Sequence, residues 1–158
     1  ARVNEIFCNN ANSAITRAAW DKYKFNEELT GLEDLFMAKE IVQDNGKVDY
    51  IPRSVVFHIH DETWAQVKTR YERGSIALQK IMPEVKVSLF DTLNFILTGI
   101  FGDMVIAFHQ RVLLKELRSI ILFRIMQYYG AFKGNHLSRK LSYKSKMKYF
   151  YPKIRNDC

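Results

Sequence analysis

The run Tyr50-Ile-Pro-Arg-Ser-Val-Val-Phe-His-Ile-His60 ends in two histidines, His58 and His60, and lies downstream of an acidic pair, Glu33-Asp34. Imidazoles can hold a divalent ion and a carboxylate can take a proton, so together these residue types are equipped for metal-assisted proton transfer. In an extended segment side chains alternate between faces. Ser54, Val56, His58 and His60 then share one side, while Val55, Phe57 and Ile59 point into a core. An acidic pair also favours the first turn of any helix, and a His-x-His at a strand end is often simply solvated. The residue types alone therefore leave a chemical and a structural role both open.

The elements that would position these groups read as alternating helices and strands. Asn12 or Ser13 can cap a helix running through Trp20 by accepting a bond from a free first-turn N–H. Thr30-Gly-Leu-Glu33 matches a capping box and opens an amphipathic helix with Leu35, Ala38, Ile41 and Val42 on its apolar face. Gly46 is expected to close it in the left-handed position. Two short strands, Val48–Ile51 and Ser54–Ile59, flank Pro52. A helix from about Glu62 to Met82 follows, with Trp64, Val67, Tyr71, Gly74, Leu78 and Ile81 at helical spacing and Pro83 as its stop. Arg70 and Arg73, one turn apart on that helix, suit either a solvated face or an anionic group such as a diphosphate.

Beyond Pro83 the composition changes. Residues 85–108 are rich in large apolar groups but carry Lys86, Asp91, Asn94 and Asp103. A spanning helix needs roughly 20 mostly apolar residues, and one central Asp costs on the order of 3 kcal/mol, so full insertion is disfavoured. Leu113 to Tyr129 mixes apolar groups with Arg111, Lys115, Arg118 and Arg124, as in a basic amphipathic helix that packs on a domain or lies in a membrane interface. The tail 138–153 interleaves bases with aromatics and suits anionic lipid or nucleic acid. Residues 1–83 hold 11 Lys+Arg against 12 Asp+Glu, whereas 84–158 hold 13 against 5, which points to two segments with different jobs. At 158 residues the chain can bury a core without disulfides. Cys8 and Cys158 form no zinc or redox spacing, in keeping with free thiols in a reducing compartment. No initiator Met, basic leader or cleavage pattern at Ala1 marks the chain for secretion.

Phe7-Cys-Asn-Asn-Ala-Asn12-Ser-Ala-Ile-Thr-Arg17, Phe25-Asn-Glu-Glu28, Gly31-Leu-Glu-Asp34, Tyr50-Ile-Pro52 and Val56-Phe-His-Ile-His60 occur in that order. Together they resemble the second half of a family 2 glycosyltransferase, nearest the rhamnosyltransferase-like branch. Residues of about 5–82 carry the likeness, and Tyr128-Tyr-Gly-Ala-Phe-Lys-Gly134 is similar to the way such chains often finish. The family's amino-terminal half, with its nucleotide-binding βαβ units and Asp-x-Asp motif, has no counterpart here.

The resemblance implies an α/β fold, with residues 1–84 as the carboxy-terminal part of a GT-A catalytic domain and 85–158 as a mostly helical, basic extension able to meet a membrane. It implies inverting transfer of a sugar from a nucleotide-sugar donor to a saccharide or lipid-linked glycan acceptor. Asp34 would be the base at a helix start, where the dipole favours an anion, and Glu33 would hold the helix entry or the acceptor. His58, with His60 as rival, would ligate a divalent ion, Mn2+ or Mg2+, the imidazole favouring manganese. Asn12 would line the sugar or acceptor pocket, and Arg70 and Arg73 would meet the diphosphate. The expected location is cytoplasmic, peripheral on the inner membrane face, with nucleic acid disfavoured as a partner. The competing expectation is a noncatalytic interaction module that binds a partner, an anionic membrane or a polymer through its basic extension.

Overall fold

The computed structural model describes residues 8–136. Among them are one short 3-10 turn, Asn10–Asn12, and five α-helices: α1 Arg17–Lys22, α2 Glu33–Gln43, α3 Trp64–Ile81, α4 Leu89–His109 and α5 Leu113–His136. No strand occurs among the described residues. The α/β expectation, and with it the GT-A sheet, is therefore overturned. The reason is physical: alternation makes a strand only where a neighbouring segment accepts and donates its backbone bonds. Among the described residues, 47–61 have no such neighbour, and Val55, Phe57 and Ile59 stand exposed instead of facing a core. The basic tail 138–153 lies outside the described residues.

The chain divides into two compact units, Ala1–Asp61 and Glu62–Cys158, and the line expected after residue 84 runs inside the second. In the first unit α1 is capped by Thr16, whose Oγ1 accepts from the Ala19 amide at 3.2 Å, and not by Asn12 or Ser13. Helix α2 begins at Glu33 with Leu32, not Thr30, at the cap position. It ends in a Schellman turn: Gly46 N–H donates to the Ile41 carbonyl at 2.8 Å and Asn45 N–H to Val42 at 3.1 Å. The left-handed residue of that turn is Asn45, at φ 60, and not Gly46. Gly46 is needed for closeness instead, since a Cβ there would sit 2.6 Å from Ile41 Cγ2. The Lys22 ammonium and the Tyr23 hydroxyl both donate to Asp44 Oδ2 at 2.8 Å, tying the end of α1 to the end of α2. Leu29, Thr30, Met37 and Ala38 are buried.

Among the described residues the second unit holds three helices, with α5 in contact with both α3 and α4. Helix α3 starts on a reciprocal capping box between Thr63 and Gln66, and α4 on one between Ser88 and Asp91. A tight turn with Arg111 at φ 60 reverses the chain, so α5 runs back along α4: Phe95 stacks on Tyr128, and Asp103 binds Arg124. Against α3 the direction is parallel, Gly130 meeting Lys68 and Gly134 meeting Glu72. Any Cβ at either glycine would overlap the Lys68 or Glu72 carbonyl, so this Gly-x-x-x-Gly face lets the two backbones touch. Glu72 is buried there and receives the Lys133 ammonium at 2.8 Å. Asn135 fixes the α3–α4 connection by accepting from Val87 N–H and donating to the Val85 carbonyl, both at 3.0 Å.

Candidate functional site

A cleft of about 550 Å3 lies within the first unit, walled by the 8–16 loop, the inner face of α2 at Met37, Ala38 and Ile41, and the extended segment Lys47–His58. Two of its lining residues cross-link the loop to the segment. The Asn12 side-chain amide donates to the Ser54 carbonyl at 2.7 Å and to the Ser54 hydroxyl at 3.2 Å. Asn12 is thus a wall residue of the cleft and holds Ser54, while the helix-capping role open to it from sequence falls to Thr16. His58 lines the same cleft.

Asp34 is not among the residues that line the cleft; it is joined to the lining loop by one hydrogen bond through Asn10, which is itself not a lining residue. Its Oδ2 accepts from the Asn10 amide at 2.6 Å and its Oδ1 from the Leu35 amide at 2.8 Å. The residues on either side of Asn10, Asn9 and Ala11, both line the cleft. The wall residue Cys8 registers the carboxylate: its thiol pKa is raised chiefly by burial and further by the negative charge of Asp34. A carboxylate has about four lone-pair positions and two are engaged here, so acceptor capacity remains on a half-buried group. Two residues before it, Leu32 adopts φ 60, a left-handed backbone that a branched side chain enters only at a cost of about 1–3 kcal/mol. This strain sets the direction in which Glu33 and Asp34 leave the turn. Glu33 is half-buried in the first helical turn.

His58 and His60 lie face to face, ring centroids 4.3 Å apart and planes 27° from parallel, so the neighbour relation read from alternation holds locally without a sheet. His58 is a lining residue; His60 is not among those that line the cleft. Among the described residues no group of three or more His, Cys, Asp or Glu converges as a metal site. The donor set falls short of what a divalent ion takes, since Mn2+ or Mg2+ is held by about six ligands, mostly oxygens. His58 and His60 supply imidazole nitrogens alone, and these residues by themselves do not fit the ion.

Arg70 and Arg73 belong to α3 in the second unit. The Arg70 guanidinium is engaged by Glu62, with Nε at 2.9 and 3.1 Å from its two oxygens and a second nitrogen at 2.8 Å, and lies over the Tyr71 ring. It serves there to fasten the start of α3. Sequence reasoning missed the Asn12–Ser54 lock, the support of Asp34 by the 9–12 loop, and the Asp103–Arg124 pair. The Asn-rich run before Ser13 was the available signal for the first two. No family model matches the chain, and neither a curated protein nor a solved structure matches it.

Proposed function

We propose that this chain carries the acceptor side of a glycosyl-transfer site, in which Asp34 takes the proton of the acceptor hydroxyl as it attacks the anomeric carbon of a nucleotide-sugar donor. The observation that carries the reading is the support of Asp34 by Asn10, within the loop that walls the cleft shared by Asn12 and His58. The five ordered motifs that resemble family 2 glycosyltransferases support it from the sequence side. The cleft is of a size to take a monosaccharide unit, and its mixed wall offers apolar surface from Met37 and Ile41 beside polar groups from Asn12, Ser54 and Asp49. Inversion follows if the hydroxyl deprotonated by Asp34 attacks from the face opposite the leaving diphosphate. The acceptor in this reading is a saccharide or lipid-linked glycan. A divalent ion, if used, takes at most the imidazoles of His58 and His60 from these residues and the rest of its ligands from elsewhere.

The reading is tested by titrating the isotopically labelled chain with saccharide acceptors and following amide shifts. Perturbations should concentrate at Asn12, Ser54 and His58 and weaken in Asn12→Ala. Shifts that avoid the cleft altogether would remove it as the acceptor site. The noncatalytic alternative, an interaction module, draws support from a different observation, the exposed apolar surface of α4.

A further inference from the structure

Helix α4 is long and apolar enough to cross a membrane, yet only 6% of its most apolar window is buried. Phe90, Leu97, Phe101 and Phe108 repeat at helical spacing and are 79%, 67%, 71% and 67% exposed. Leu93 and Val105 widen the same stripe. The acids of α4 are already occupied: Asp91 closes the capping box with Ser88, and Asp103 receives two nitrogens of Arg124 at 2.6 and 2.7 Å. Thr92 and Thr98 return their hydroxyls to the Ser88 and Asn94 carbonyls of their own helix. What remains outward is a face of phenylalanine and leucine broken by Asn94.

The charges at the two ends identify what covers it. Lys86 precedes α4 and Arg111 and Lys115 follow it, all exposed; beside them stand the exposed acid Glu84 and Glu116, which lies 4.0 Å from the Lys115 ammonium, so three cations face two acids. A second copy laid antiparallel on the stripe would set Lys86 against Arg111, and a parallel copy would oppose each cation to itself. Both are repulsive. An anionic bilayer surface complements the net positive carboxy-terminal end at Arg111 and Lys115, can meet Lys86 at the other end, and accepts the apolar stripe between them. The opposite side of α4 holds α5, which carries Lys115, Arg118, Arg124 and Lys133, so a spanning pose would draw these into the hydrocarbon.

We infer that α4 is an in-plane docking helix for an anionic lipid bilayer, seating its Phe90–Phe108 stripe at the level of the upper acyl chains with Lys86, Arg111 and Lys115 at the headgroups. From sequence α5 was open either to packing on the domain or to a membrane interface, and in the fold it packs against both α3 and α4. This docking is independent of the sugar-transfer reading, and neither stands or falls with the other.

The test is flotation of the full chain with phosphatidylcholine vesicles, with and without phosphatidylglycerol, compared with the double variant Leu97→Glu/Phe101→Glu checked for native circular dichroism. The chain should float with the anionic vesicles, and the variant should float more than about tenfold less, since two exposed apolar contacts are replaced by charges the lipid repels. Parent chain left in solution, or a variant that floats as well as its parent because the basic tail suffices, would overturn the inference. So would a dimer in sedimentation that the variant dissolves without any vesicle binding, which would make a second copy the occupant. For the pose, the added emission of Phe101→Trp should be quenched best by lipids brominated near the headgroup; strongest quenching from the bilayer centre would overturn the in-plane geometry.

Discussion

Removing the Asp34 carboxylate should loosen the 9–12 loop before it affects anything else. Two backbone N–H groups depend on it: Asn10, on a separate segment, at 2.6 Å, and Leu35, in the first turn of α2, at 2.8 Å. A hydrogen bond to an ionised acceptor contributes about 1.5–3 kcal/mol net. The Leu35 amide, near the helix start, can turn to water at little cost, but the Asn10 bond is what draws the loop onto α2. Its loss in Asp34→Ala should therefore release the loop by about 1.5–3 kcal/mol, or roughly 10- to 150-fold in an opening equilibrium. Native-state hydrogen exchange reads this at one residue: the Asn10 amide should exchange faster by that factor, while α3 and α5 amides stay unchanged. Asp34→Asn should give a smaller acceleration, because its one amide oxygen can still serve Asn10. If Asn10 exchanges equally fast in the parent and in Asp34→Ala, the carboxylate does not hold the loop, and the link between Asp34 and the cleft loses its basis.

Two further outcomes follow from the second unit. Gly134→Ala should lower stability by about 1–3 kcal/mol, because its Cβ meets the Glu72 carbonyl and buried Glu72, with its bond from Lys133, must shift with it. An unchanged melting temperature would mean that α3 and α5 are not in backbone contact. The Asp103 pKa is held below the usual carboxylate range by its hydrogen bonds from Arg124. A depressed carboxylate contributes stability above its unfolded pKa of about 3.9 and loses it as pH falls through the folded value. The parent should therefore weaken on acidification below about pH 4 more steeply than Asp103→Asn, which has no such proton to take up. Parallel acid profiles would contradict the pair.

Helices α3 and α5 were readable from periodicity, with Pro83 as the stop for α3, because their spacing needs only the helix's own backbone bonds. The strands were not readable in the same way. Ser54–Ile59 has the right alternation, but a strand also needs a partner, and alternation is silent about partners. Caps misled for a related reason: Thr30 and Glu33 satisfy the capping-box pattern, yet the backbone turns left-handed at Leu32, and no side-chain pattern announces that. Asp103 was read as a charge that interrupts an apolar run. Only the reversal at Arg111 brings Arg124 alongside and converts it into a paired group, which leaves α4 more uniformly apolar outside than its composition implied. At the site, Asp34 and His58 were legible as residue types, while the Asn12–Ser54 lock depends on a fold-back across the cleft that spacing does not encode.

The central claim is that Asp34 acts as the base for sugar transfer, and turnover tests it most directly. In the longest protein that contains these residues, with a nucleotide-sugar donor and a glycan acceptor, Asp34→Asn should lower kcat by about 10²- to 10⁴-fold with native exchange protection retained in α3 and α5. Turnover by Asp34→Asn within about threefold of the parent, a change too small for loss of a general base, would contradict the account.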